Sequence, residues 1–176
     1  MADLDIRILG LGNVLMGDDG FGPFVVEAIA AGYELPPNVS VIDLGTPGLD
    51  LTPFLSGSDV AIIVDTVRAE GSPGDLRIYR REDLFKHGPP MRLGPHDPGL
   101  AQTLLTLEFA GCAPREVILI GAIPQTMAPC GRLTPALRNA VPEALQAIVR
   151  ELESLGVSAP WPRSALPVTP WWERVA

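Results

Sequence analysis

The sequence predicts an α/β fold, a doubly wound three-layer sandwich with a mostly parallel central sheet of about five strands and helices on both faces. Two observations predict it. Short runs rich in Leu and β-branched residues alternate along the chain with segments of helical apolar spacing. Three of the runs, Ile6–Leu11, Val60–Val67 and Val117–Ile123, are apolar almost end to end, as strands buried on both faces of a parallel sheet must be.

Each element follows from its own pattern. The first strand stops at Gly12-Asn13, a turn signal. Phe21, Phe24, Val25, Ala28 and Ile29 fall at i, i+3, i+4, i+7 and i+8, one apolar stripe of a helix. Val39–Leu44 is the second strand, a weaker helix covers Gly48–Leu55, and Val60–Val67 is the third strand. In Asp75–Arg80, Leu76 and Ile78 alternate with charged neighbours, which marks an exposed, antiparallel edge strand. Leu100, Leu104, Leu107 and Phe109 form a helix after Pro98, and Val117–Ile123 returns to the sheet. The longest helix starts at Thr134 as N-cap with Pro135 at N1. It carries Leu137, Val141, Leu145, Ile148, Leu152 and Leu155 to Gly156, and Pro142 inside it should kink it or open one hydrogen bond. His87–Pro98 holds four prolines and reads as a stiff loop. The pattern gives one domain over residues 1–156 and a Pro/Trp-rich tail over 157–176. The tail carries Trp161, Trp171 and Trp172, too much aromatic surface for a free linker, so it is expected to lie extended across the body or a second molecule.

Composition narrows the function. The 176 residues carry 13 basic and 21 acidic side chains, net −8, with 47% hydrophobic residues. A pI near 4.7 excludes the basic footprint nucleic acid requires. No run approaches the ~18 apolar residues of a membrane span. The N-terminus has neither a basic nor an apolar leader region, so a soluble cytoplasmic protein is expected. Cys112 and Cys130, with no CxxC, exclude a disulfide framework and a cysteine-rich zinc site.

The chemistry concentrates at three places. Gly10-Leu-Gly12 begins like a dinucleotide fingerprint, but Leu15 stands where its third glycine should fall and Asp18 and Asp19 follow where a pyrophosphate would sit. The Asp pair has a plain structural reading, Asp18 as N-cap and Asp19-Gly20 completing the turn. Asp65 lies near the end of an apolar strand, at a depth where an ionised carboxylate needs a partner. The first and third strands of a doubly wound sheet are neighbours near the switch point, so the topology brings Asp19 and Asp65 toward each other, where a cation or a proton must relieve their repulsion. Of the two histidines, His87 sits in a polar surface stretch and His96 in the stiff loop before a helix. Asp19, Asp65 and His96 make an O,O,N set suited to a borderline divalent metal such as nickel or zinc. No nucleophile elbow and no H-E-x-x-H helix occurs.

Four segments carry a resemblance: Gly12–Gly22 (GNVLMGDDGFG), Asp43–Leu49 (DLGTPGL), Ile63–Asp65 (IVD) and Pro95–Leu100 (PHDPGL). Their order and spacing, from about Arg7 to Leu155, resemble the hydrogenase maturation endopeptidases. The resemblance implies a cytoplasmic protease that trims the C-terminal extension from a nickel–iron hydrogenase large-subunit precursor after nickel insertion. It implies Asp19, Asp65 and His96 as the metal-binding and catalytic set, and Gly45, Thr46 and Gly48 as a substrate loop. Nickel would come with the precursor, and other divalent metals could occupy the same ligands. Many members have Glu where this chain has Asp19. Two mechanisms stay open: the metal polarises the scissile carbonyl or delivers water, or it serves as a recognition handle while a carboxylate acts as general base. The alternative functions are a non-catalytic nickel chaperone or sensor using the same three residues and, more remotely, a nucleotide-binding regulatory domain.

Overall fold

The computed structural model describes residues 4–46, 51–87, 99–157, 161, 162, 170 and 172. Its strands are β1 (Ile6–Leu11), β2 (Tyr33–Glu34), β3 (Val39–Gly45), β4 (Val60–Thr66), β5 (Leu76–Arg80), β6 (Glu116–Ala122) and β7 (Trp161–Pro162). Its helices are α1 (Phe21–Gly32), α2 (Thr52–Leu55), α3 (Arg81–His87), α4 (Leu100–Phe109) and α5 (Pro135–Ser154), with a 3₁₀ turn at Gly17–Gly20. Five strands form one sheet in the order β3-β1-β4-β6-β5. All neighbours run parallel except β5, which pairs antiparallel with β6 at the edge. This is the predicted doubly wound sheet with its antiparallel edge strand.

Strand alternation divides the core. Ile6, Ile8, Ile62, Val64, Ile118 and Ile120 face one side and pack with α1 and α5. Leu9, Leu11, Ala61, Ile63, Val117 and Leu119 face the other and pack with Leu55 of α2, Leu84 of α3 and Leu100, Leu104 and Leu107 of α4. Strands apolar at nearly every position are required because both faces are covered.

The helix α5 begins as predicted. The Thr134 hydroxyl accepts a hydrogen bond from the Leu137 amide, and Pro135 follows in the first turn. It continues through Pro142, which lies on the exposed side and costs one helical hydrogen bond without ending the helix.

Three elements differ from the pattern-based expectation. The helix expected over Gly48–Leu55 is described only as Thr52–Leu55, and its first residues fall outside the described ones. Helix α3 was not anticipated. Leu84 is its one buried residue among 81–86, so no apolar period shows, and polar groups start it instead. Glu82 and Asp83 occupy the first turn, and Asp83 Oδ2 accepts from the Arg80 amide at 2.9 Å. The third is a two-stranded ribbon in which Tyr33–Glu34 pairs antiparallel with Trp161–Pro162. Pro170 is buried, and Trp172 packs against the α1/α5 cluster. Those parts of the tail therefore lie on the body. Among the described residues, no helix is long and apolar enough to cross a membrane.

Candidate active site

Parallel strands end together, so the C-terminal ends of β3, β1, β4 and β6 form one edge. Gly10 of β1 stands beside Val64 of β4, and Asp65 follows at the end of β4, 4% exposed. The chain leaves β1 through Gly12, whose φ is +133°; a Cβ there would come within 1.8 Å of the Asp19 carbonyl oxygen. A Cβ on Gly22 would lie 2.2 Å from the Leu11 carbonyl oxygen and 2.4 Å from that of Val64. These two glycines let the turn carrying Asp19 fold down onto the ends of β1 and β4, and the 3₁₀ turn itself touches β4.

Each carboxylate is oriented by the main chain. The Asn13 amide donates to Asp19 Oδ2 at 3.0 Å, and the Thr66 amide donates to Asp65 Oδ1 at 2.7 Å. Strand alternation sends Asp65, two residues beyond Ile63, toward the face that α4 covers. Helix α4 enters at this same edge, because the turn after it returns to the opposite end of the sheet. There the Gly57 amide donates to the Cys112 carbonyl and the Arg115 amide to the Asp59 carbonyl. The same edge thus carries Asp19, Asp65 and the start of α4 at Leu100. His96 and Gly48 lie outside the described residues. Gly45 ends β3, its carbonyl accepting from the Gly12 amide at 2.8 Å, and Thr46 is exposed beside it. Among the described residues, no three His, Cys, Asp or Glu side chains form a group able to hold a metal ion.

Asp18 does something the sequence does not reveal. It is not the N-cap of α1; Gly20 occupies that position and offers no side-chain bond. Fully buried, Asp18 turns to the far loop instead. Its Oδ2 accepts from the amides of Gln125 and Thr126 at 2.8 and 3.1 Å and from the Thr134 hydroxyl at 3.1 Å. Its Oδ1 accepts from the Thr134 amide at 2.7 Å. The Asp18 amide completes the clamp by donating to the Thr126 carbonyl. Partners more than 100 residues away leave no local signal; the only hint is an Asp-Asp pair in which a single carboxylate would suffice for a turn.

The family model for hydrogenase maturation protease matches residues 23–151. The chain is 36% identical over 165 residues to the hydrogenase 2 maturation protease of Escherichia coli (strain K12), an alignment covering 92% of this chain and 98% of that protein. The chain belongs to the hydrogenase maturation protease family. It is accordingly a hydrolase acting as a protease. It is also 34% identical to the hydrogenase expression/formation protein HupD of Rhizobium leguminosarum bv. viciae, over 87% of this chain and 76% of that protein. Among solved structures, the hydrogenase maturating endopeptidase HybD from E. coli superposes with a TM-score of 0.81 at 35% identity, covering 92% of this chain and 99% of its own. A hydrogenase 2 maturation peptidase from Thaumarchaeota archaeon SCGC_AB-539-E09 gives 0.64 at 34% identity, covering 87% and 99%. In this maturation protease, the fold it shares with these structures supplies the sheet edge at which Asp19 and Asp65 stand.

Proposed function

We propose that this maturation protease works in the cytoplasm, removing the C-terminal extension from the large-subunit precursor of a nickel–iron hydrogenase after nickel insertion. In this reading the precursor's nickel is part of the substrate, and Asp19, Asp65 and His96 meet it. The observation that carries the reading is the common position of Asp19 and Asp65 at one edge of the sheet, on neighbouring chain segments. Two carboxylates there repel each other, and a divalent cation relieves that repulsion. Carboxylate oxygens with an imidazole nitrogen suit nickel and also zinc. The amides of Asn13 and Thr66 hold the two carboxylates in fixed orientation, as ligand-orienting partners do in metal sites. His96 stands four residues before the start of α4, the helix that enters at this edge. Gly45 and Thr46 border the same edge through the bond from Gly12 to Gly45, and together with Gly48 they are read as the substrate loop.

The test is incubation of purified protein with large-subunit precursor, nickel-loaded or nickel-free, followed by intact mass. The reading requires loss of the extension from the loaded precursor alone. Equal cleavage of both forms would remove nickel from the account. Tight nickel binding with no cleavage of any precursor would replace the protease reading with a chaperone or sensor.

A further inference from the structure

The two edges of the sheet are finished differently. On β5, two of the outward-facing main-chain groups are occupied by neighbouring side chains: Arg77 Nη1 donates to the Leu76 carbonyl at 2.8 Å, and Asp83 Oδ2 accepts from the Arg80 amide, while those of Ile78 between them have no partner among the described residues. Side chains thus cover the two ends of that edge strand. On β3, the Ile6 amide donates to the Asn38 carbonyl, with Ile6 opposite Val39. In a parallel ladder this register turns Ser40 and Ile42 toward β1 and leaves the N–H and C=O groups of Val39, Val41 and Asp43 facing outward. The Val39 amide is taken by the Pro36 carbonyl at 3.0 Å. The outward main-chain groups of Val41 and Asp43 have no hydrogen-bond partner among the described residues. The Asp43 carboxylate does not shield them, since its Oδ1 accepts from the Gly45 amide at 2.8 Å.

This edge, open among the described residues, leads to the active-site end of the sheet. It ends at Gly45, which is bonded to Gly12 at the exit of β1, and its direction is that of β4 toward Asp65. We propose that the outer edge of β3 is a main-chain docking strip on which an extended segment of the protein substrate, next to the scissile bond, pairs with Val41 and Asp43 as a sixth strand. The proposal rests on the function above, because its occupant is the precursor's C-terminal region. An added strand lies three spacings from β4, about 14 Å at ~4.8 Å each, and a chain advancing ~3.3 Å per residue covers that in about four or five residues. The paired segment therefore stands about four or five residues from the bond that is cut. Recognition of this kind reads an extended main chain first and side chains second.

Amide hydrogen exchange of the full chain, carrying Asp65→Asn to prevent turnover, tests this with and without a synthetic peptide spanning the extension and the cleavage site. Binding should slow exchange of the Val41 and Asp43 amides about tenfold or more. Kinetics on the intact precursor provide a second readout. Val41→Pro removes one outward N–H and leaves the ladder to β1 intact, so KM should rise about tenfold with kcat little changed. Val41→Ala keeps the N–H and should stay within about twofold. Unchanged exchange at saturating peptide would overturn the proposal, as would equal KM values for the two variants. Exchange carries the test if Val41→Pro does not fold. Protection of both amides without peptide, together with a dimeric mass, would overturn it in favour of pairing between two copies. Cleavage without protection removes the strip and keeps the function; protection without cleavage by the unaltered protein removes the function and keeps the strip.

Discussion

Asp18 holds Thr134 by two hydrogen bonds, 2.7 Å from the amide and 3.1 Å from the hydroxyl, across 116 positions of sequence. The same hydroxyl caps α5 by accepting from Leu137. One buried carboxylate therefore ties the turn bearing Asp19 to the loop after β6 and to the start of the longest helix. Removing it strands four donors at once. Asp18→Ala should cost about 3 kcal/mol or more of stability in urea unfolding, and Asp18→Asn somewhat less, because its amide oxygen still accepts although its NH2 turns a donor toward donors. A loss under 1 kcal/mol for Asp18→Ala would show that the clamp is not made.

Thr66 presents the opposite case. Its hydroxyl is buried, the residue 1% exposed, and the oxygen finds no hydrogen-bond partner among the described residues. A buried polar group without a partner destabilises the fold, so Thr66→Val, nearly equal in shape, should raise stability by about 1 kcal/mol. Thermal unfolding checks it. A drop in melting temperature would mean that the hydroxyl is satisfied in solution.

The tail makes a separate contribution. Trp172 packs on the α1/α5 cluster, and β7 pairs with β2. Truncation after Val157 should lower stability by about 2 kcal/mol, a shift of several degrees in melting temperature, without touching Asp19, Asp65 or His96. An unchanged melting temperature would contradict that contribution.

The sheet was legible because its strands are buried on both faces, which makes Ile6–Leu11, Val60–Val67 and Val117–Ile123 short, nearly continuous apolar runs without helical spacing. The edge strand Leu76–Arg80 was legible for the converse reason, its alternation. Helix α5 announced both its cap and its first turn through Thr134 and Pro135. Helix α3 was hidden, since capping by Asp83 and one buried Leu84 leave no period to detect. The position of Asp19 and Asp65 at one edge followed from topology alone, because parallel neighbours must end together. The role of Asp18 did not, since its partners are set by tertiary structure. The main-chain finish of β3 and β5 was equally invisible, because whether an edge is blocked depends on where Arg77, Asp83 and Asp43 point.

The central claim is that Asp19, Asp65 and His96 act as one set on a nickel-bearing precursor. The most direct measurement is the rate of processing of nickel-loaded precursor, by intact mass, for Asp19→Asn, Asp65→Asn and His96→Gln beside the unaltered protein. The account predicts that each loses activity on the order of a hundredfold or more. Melting temperatures should hold, and that of Asp65→Asn should hold or rise because like-charge repulsion is relieved. Processing at the unaltered rate by any one of the three, with the protein folded, would contradict it.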